Sequence, residues 1–218
     1  MAKFANDVDI LKYEPVLFGE LHLPSQVLIS GEAGQLSGTT FTATGADFSS
    51  ANVSSSGVIY MRSSDGVVDG AYEIVSVDSA TQLTVSVVRA DTGDSAVAPP
   101  VATGISYRVS TFDPQACEVS FELTEHFGIG PGNPASEVDA GDVMDTSALK
   151  RVSVFGVISV VYAMMASKTN DENFWAKSLH YRNLFEKARQ RCRLSIDAGS
   201  DGVADITKAG GTVRLVRD

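Results

Sequence analysis

The sequence has few of the residues that build disulfide, metal and nucleic-acid sites. Its two cysteines, Cys117 and Cys192, allow one disulfide at most, which excludes a disulfide-stapled scaffold. The cysteines and three histidines show neither C-x-x-C nor H-x-x-x-H spacing, so no metal site is expected. With 17 Lys and Arg against 27 Asp and Glu, the net charge of −10 disfavours a protein that grips nucleic acid by broad phosphate neutralisation.

Signals for secretion and membrane insertion are also missing. The first residues lack a basic segment followed by a long apolar run, so we expect no signal peptide, synthesis in the cytoplasm and two reduced, packed thiols. The longest nearly apolar stretch, 152–165, has 14 residues and contains two serines. A membrane span needs about 20 apolar residues, so no contact with a membrane is expected.

No catalytic signature is visible in the sequence. It contains neither a G-x-S-x-G elbow nor a cysteine with an evident histidine partner. The glycine-rich segment 128–132 follows a predicted helix, whereas a phosphate-binding loop follows a strand and opens a helix. We therefore expect no catalytic residue, no cofactor and no enzyme activity. An uncharacterised hydrolase stays open as an alternative, because a single sequence does not reveal a triad assembled in space.

The segment 197–208 is the sharpest ligand candidate. An EF-type calcium loop has carboxylates and a turn glycine at positions 1, 5, 6 and 9, where this sequence has Asp197, Asp201, Gly202 and Asp205. Position 3 is Gly199, which has no ligand side chain, and position 12 is Lys208 instead of a bidentate Glu. A plain Asx/Gly turn is therefore expected, with calcium as the alternative.

Periodicity divides the chain into a β stretch and helical stretches. From Gln26 to Phe112 the sequence is dense in Ser, Thr, Gly and Val, and it alternates apolar with polar residues. This pattern predicts a hairpin of 72–77 with 83–87 and further strands at 38–44, 58–62 and 105–110. Five or six short strands indicate a small barrel or sandwich.

The remaining sequence predicts helices. Asp113 is a good N-cap, Pro114 suits a first helical turn and Gly128 supplies a stop. A second helix, from about 146 to 167, is apolar on nearly every side and should be buried among others, and a third begins at 170–172. The fold class is thus α+β, a helical bundle of residues 1–27 and 113–218 with a C-terminal tail and an inserted β module, 28–112.

Three segments carry a family resemblance. They are the opening DVDILKYEP at 7–15, the paired helices 148–194 with the run WAKSLHYRNLF at 175–185, and the acidic turn 196–205, in which Gly199 departs from an acidic position. These segments cover about half of the chain and resemble the head-to-tail connector, or head completion, proteins of tailed bacteriophages. The β module lies outside the resemblance.

The resemblance implies a structural virion protein of the phage neck. Such proteins form a homo-oligomeric ring, commonly of twelve copies, beneath the portal protein, and join it to the next neck or tail component. DNA passes through the ring without specific binding. The net negative charge agrees with this role, because tight phosphate binding would arrest sliding DNA. Alternatives are another virion subunit, such as a tail terminator or baseplate protein, and a carbohydrate-binding β module.

Two groups of residues are candidate contacts. Trp175 is the aromatic residue best suited to an intersubunit contact. The tail combines alternating apolar residues with arginines in a segment too short to build a core. In the connector family the tail reaches the portal, so we expect order on the portal or on a neighbouring subunit for Thr212, Val213, Arg214, Leu215, Val216 and Arg217.

Overall fold

The computed structural model describes residues 3–211, which divide into two compact units. The barrel unit is Asn6–Phe112, and the helical unit holds the described residues before Asn6 and from Asp113 onward. The expected mixture of helices with a small β module is confirmed, and the β module is a closed barrel rather than a sandwich.

The barrel unit consists of six antiparallel strands preceded by a short helix. Its elements are α1 (Asp7–Leu11), β1 (Val27–Ser37), β2 (Thr40–Thr42), β3 (Val58–Ser63), β4 (Asp69–Ser79), β5 (Gln82–Ser86) and β6 (Ala102–Ser110), with 3₁₀ turns at Pro15–Leu17 and Pro24–Gln26. The strand order is β1-β2-β5-β4-β3-β6, and β6 pairs back with β1. The predicted hairpin is confirmed as β4 and β5.

Strand β1 closes the barrel through a bulged segment. Its register with β6 shifts between Gly31 and Gly34, and Ala33 within the bulge has a φ of 64°. A Cβ at Gly34 would lie 2.6 Å from the Phe41 ring, so this position has room only for glycine. The bulge bends β1 so that it pairs with β6 along its length and with β2 at its end.

The N-terminal segment of the barrel unit, residues 6–27, packs with the barrel. Asp7 Oδ1 accepts a hydrogen bond from the Phe112 amide at 2.8 Å, and the Phe18 and Phe112 rings lie 5.1 Å apart. Arg108 donates to the Gly19 carbonyl at 2.7 Å. Residues 6–27, which we expected in the helical part, therefore belong to the barrel unit, because their anchors come from the end of β6 and the residues beside it.

A buried ion pair fixes the segment that follows β5. Arg89 Nη2 and Glu73 Oε1 are 2.6 Å apart, and only 8% and 2% of the two side chains are exposed. Arg89 also donates to the Thr92 and Asp94 carbonyls, and its hydrogen bond with Glu73 raises the pKa of its guanidinium. The pair thus holds this segment against β4 and has a structural role.

The helical unit contains three helices and a two-stranded hairpin. They are α2 (Asp113–Phe127), α3 (Ser147–Thr169), α4 (Glu172–Arg191), β7 (Arg193–Ile196) and β8 (Ile206–Ala209). The three helices lie close to their predicted bounds, and Asp171 caps α4 by accepting from the Asn173 amide. The hairpin was not predicted.

Helix α3 is the core of the helical unit. At Gly156 an added Cβ would lie 2.7 Å from Val119 of α2 and 3.1 Å from Phe185 of α4, so glycine lets all three helices meet. Farther along, the Ser159 and Ser178 hydroxyls each donate to the other residue's carbonyl, at 3.0 and 2.9 Å. By length and composition α3 would also suit a membrane span, but 67% of its most apolar window is buried, as in a core helix.

We predict that Gly34→Ala destabilises the barrel by about 2 kcal/mol, because the new methyl group overlaps the Phe41 ring. Gly70→Ala is the matched control, since its Cβ would lie 3.8 Å from Tyr72, an ordinary contact. Urea unfolding followed by hydrogen exchange in peptides from β3 and β6 measures both variants. Equal stability of the two would contradict a steric role for Gly34.

We also predict that residues 6–112 fold when expressed alone, because the closed barrel has its own core and no unpaired edge. A fragment of residues 28–112 should be much less stable, since it lacks the anchors of Asp7 and Phe18. Amide dispersion in NMR spectra and thermal melts compare the fragments. Equal melting temperatures would show that the N-terminal segment adds nothing to the barrel.

Candidate functional site

Of the two predicted contact groups, Trp175 lies within the described residues. Trp175 lies in the first turns of α4 with 53% of its surface exposed, and Leu179, one turn later, is 48% exposed. Ala163 and Ala166 of α3 line the same shallow depression as Trp175. This apolar face is exposed, and an intersubunit contact of Trp175 stays a prediction. The tail residues Thr212 to Arg217 lie outside the described residues.

The acidic segment 197–205 forms the turn between β7 and β8. Asp197 accepts hydrogen bonds from the Asp201 and Gly202 amides, at 3.1 and 2.7 Å, and Asp205 accepts from the Gly199 amide at 2.9 Å. The carboxylates therefore bind backbone amides of their own turn. Lys208, at the position of the missing calcium ligand, donates to the Gly128 carbonyl at 2.8 Å.

A groove with a cationic rim lies between the start of α3 and the end of α4. Its volume is about 430 Å³. The rim is formed by Arg151, Lys187, Arg191 and Arg193. The floor is formed by Val152, Phe155, Leu184 and Ala188. We call this feature the basic groove.

The electrostatics of the basic groove favour an anion that carries an apolar group. No Asp or Glu lines it, and within residues 3–211 the rim cations form no ion pair. The Arg151 guanidinium lies 5.3 Å from the Phe155 ring centroid, so a cation already stacks at the edge of the floor.

The groove holds one thiol, which is poorly suited to nucleophilic chemistry. Cys192 is 7% exposed, and its thiol donates to the Ala148 carbonyl at 3.5 Å. Burial raises the pKa of the Cys192 thiol, which disfavours the reactive thiolate. The lining also contains no histidine or carboxylate that could act as a general base, so its geometry suits binding.

The outer face of α2 has the opposite charge. We define the acidic ridge as Glu118, Phe121, Glu122 and Glu125. Phe121 is 39% exposed, and helical spacing places the carboxylates of Glu118 and Glu125 on either side of its ring. Glu122 is paired with Arg189 of α4 at 2.9 Å, so the other two carboxylates face solvent.

The ridge and the groove lie on opposite sides of the α3–α4 pair. Helix α2 packs on the side of the α3–α4 pair that carries Arg189. The ridge lies on the face of α2 that is turned away from the buried residues of this helix. Lys187 and Arg191 are each two residues from Arg189, which places them about 160° around the axis of α4. Each helical unit therefore exposes an acidic surface on one side and a basic one on the other.

The chain matches no protein-family model, and searches of curated proteins and of solved structures give no significant match.

Sequence reasoning missed both charged surfaces. The rim cations come from three elements and are spread from residue 151 to residue 193, so only the fold brings them together. The ridge has a local signal, the E-x-x-F-E-x-x-E spacing at 118–125, in which an aromatic residue stands on the polar face of a helix.

We predict that Asp197→Ala lowers stability by about 1 kcal/mol, because two turn amides lose their acceptor. Calcium should leave the melting temperature of the wild type unchanged, since these carboxylates already bind amides. Asp197→Asn, which keeps one acceptor oxygen, should lose less. Thermal melts with and without calcium measure these effects, and a calcium-dependent rise that Asp197→Ala removes would contradict the prediction.

Proposed function

We propose that this protein is a structural subunit of the tailed-phage neck. Its copies form a closed ring that joins the portal protein to the next neck or tail component and lets DNA pass. The resemblance of the opening segment, the paired helices and the acidic turn to connector proteins supports this role. Within the helical unit, α3 and α4 supply the connector-like core.

The observation that carries the proposal is the placement of the two charged surfaces. A ring is built from heterologous contacts, in which every copy presents one surface to the copy before it and another to the copy after it. The acidic ridge and the basic groove meet this requirement, because they are complementary and lie on opposite sides of the helical unit. The resemblance to connectors sets the expected copy number at twelve.

The charge distribution supports passage of DNA. Each copy carries a net charge of −10, so a ring of copies repels phosphates overall. The rim cations concentrate in a groove with an apolar floor, which suits a protein contact better than a DNA backbone. DNA would therefore slide through the ring without being held.

The remaining surfaces have roles within this proposal. The tail, Thr212 to Arg217, docks on the portal or on a neighbouring subunit, with its arginines meeting acidic groups. The exposed face of Trp175 and Leu179 adds a second intersubunit contact, since aromatic residues are enriched at interfaces. The barrel unit serves the next neck component.

Cryo-electron microscopy of phage particles tests the proposal. A ring at the portal vertex whose subunits match the helical unit is the expected result. A single copy at that position would refute the ring, and a ring at the end of the tail or in the baseplate would assign another virion role.

We predict that deleting residues 212–218 leaves the melting temperature nearly unchanged but abolishes attachment to portal-containing heads. The control is Arg214→Lys with Arg217→Lys, which keeps both positive charges and should still attach, although each Lys makes fewer directed contacts. Attachment is measured by co-sedimentation of purified heads with added protein. Full occupancy by the truncated protein would exclude the tail as the docking segment.

A further inference from the structure

We infer that the acidic ridge of one copy seats in the basic groove of the next copy, so that this pair of surfaces is the repeating contact of the ring. The inference rests on the proposed function and names the partner of the groove, which is a second copy of this chain.

The shapes of the two surfaces correspond. The groove runs between two helices and has an apolar floor that includes Phe155 and Leu184. The ridge is the outer face of a single helix and presents one aromatic ring, Phe121, which is 39% exposed. A helix that places an apolar anchor in a groove between helices is a recurring mode of protein recognition, and such anchors carry much of the binding energy.

The charges also correspond in sign and position. Glu118 and Glu125 flank the Phe121 ring, so they reach the rim when the ring enters the floor. The four rim cations form no ion pair within residues 3–211, and the contact would give two of them a carboxylate partner. Three of the four are arginines, whose planar guanidinium binds a carboxylate and stacks on an aromatic ring at once.

A second acidic surface, the loop 137–145, fits a ring less well. The Met144 amide of this loop donates to the Ser195 carbonyl at 3.0 Å. Ser195 is two residues from the rim residue Arg193. The loop therefore lies on the same part of the helical unit as the groove. If two adjacent surfaces of each copy contact each other, two copies pair about a two-fold axis and assembly stops at the dimer. The ridge lies on the opposite side of the helical unit from the groove, so its contact with the groove can continue from copy to copy around a ring.

Charge reversal tests the inference directly. The ridge variant is Glu118→Lys with Glu125→Lys, and the groove variant is Arg151→Glu with Arg191→Glu. The matched control, Glu137→Lys with Asp139→Lys, makes the same change of charge on the acidic loop. Sedimentation of the full chain at about 1 mM in about 10 mM salt, where the Debye length is about 30 Å, measures assembly.

The wild type and the loop control should assemble beyond dimers, while the ridge and groove variants should each remain monomeric. Mixing these two variants should restore assembly beyond dimers, because each surface of one variant then meets a surface of opposite charge on the other. A chain that carries all four reversals should assemble again. Circular dichroism melts verify that every variant is folded.

Three results would overturn the inference. They are assembly of the ridge or groove variant alone, absence of assembly in the mixture, and a wild type that stays monomeric under these conditions. Loss of assembly in the loop control alone would assign the contact to the loop. None of these results decides the neck position, which the particle images test separately.

Discussion

The close packing around Gly156 of α3 is the constraint on which the rest of the helical unit depends. The absence of a side chain there lets Val119 of α2 and Phe185 of α4 approach the same point of α3. Paired hydroxyls of Ser159 and Ser178 then hold α3 against α4 one turn farther along. Because these contacts fix the rotation of each helix about its axis, they also fix which side chains remain outside.

The packing of the inner faces of the helices therefore also determines which residues lie on the outer faces. When Val119 faces α3, Phe121 and its flanking glutamates must face solvent, since they lie on the other side of a helical wheel. When Arg189 pairs with Glu122 of α2, Lys187 and Arg191 must face the opposite side of α4, where Arg151 joins them. Charge separation across the helical unit therefore follows from one packing arrangement, and it supplies the two unlike surfaces that the proposed ring requires.

The barrel unit solves a separate problem, the closure of six short strands without a free edge. Closure depends on the bulge at Gly31 to Gly34, because β1 must bend to reach both β6 and β2. The N-terminal segment then covers the end of β6 through Asp7 and Phe18. This arrangement gives the barrel unit a closed core of its own.

Features that depend on neighbouring residues could be predicted from the sequence. The bounds of α2, α3 and α4, the β4–β5 hairpin and the acidic turn follow from caps, periodicity and turn residues, which act within a few positions. Features that depend on contacts between distant residues could not be predicted, because those contacts form only when the chain folds. Strand β1 escaped prediction because its glycines hide the alternation, residues 6–27 join the barrel through anchors about 90 residues away, and the basic groove gathers cations from three elements.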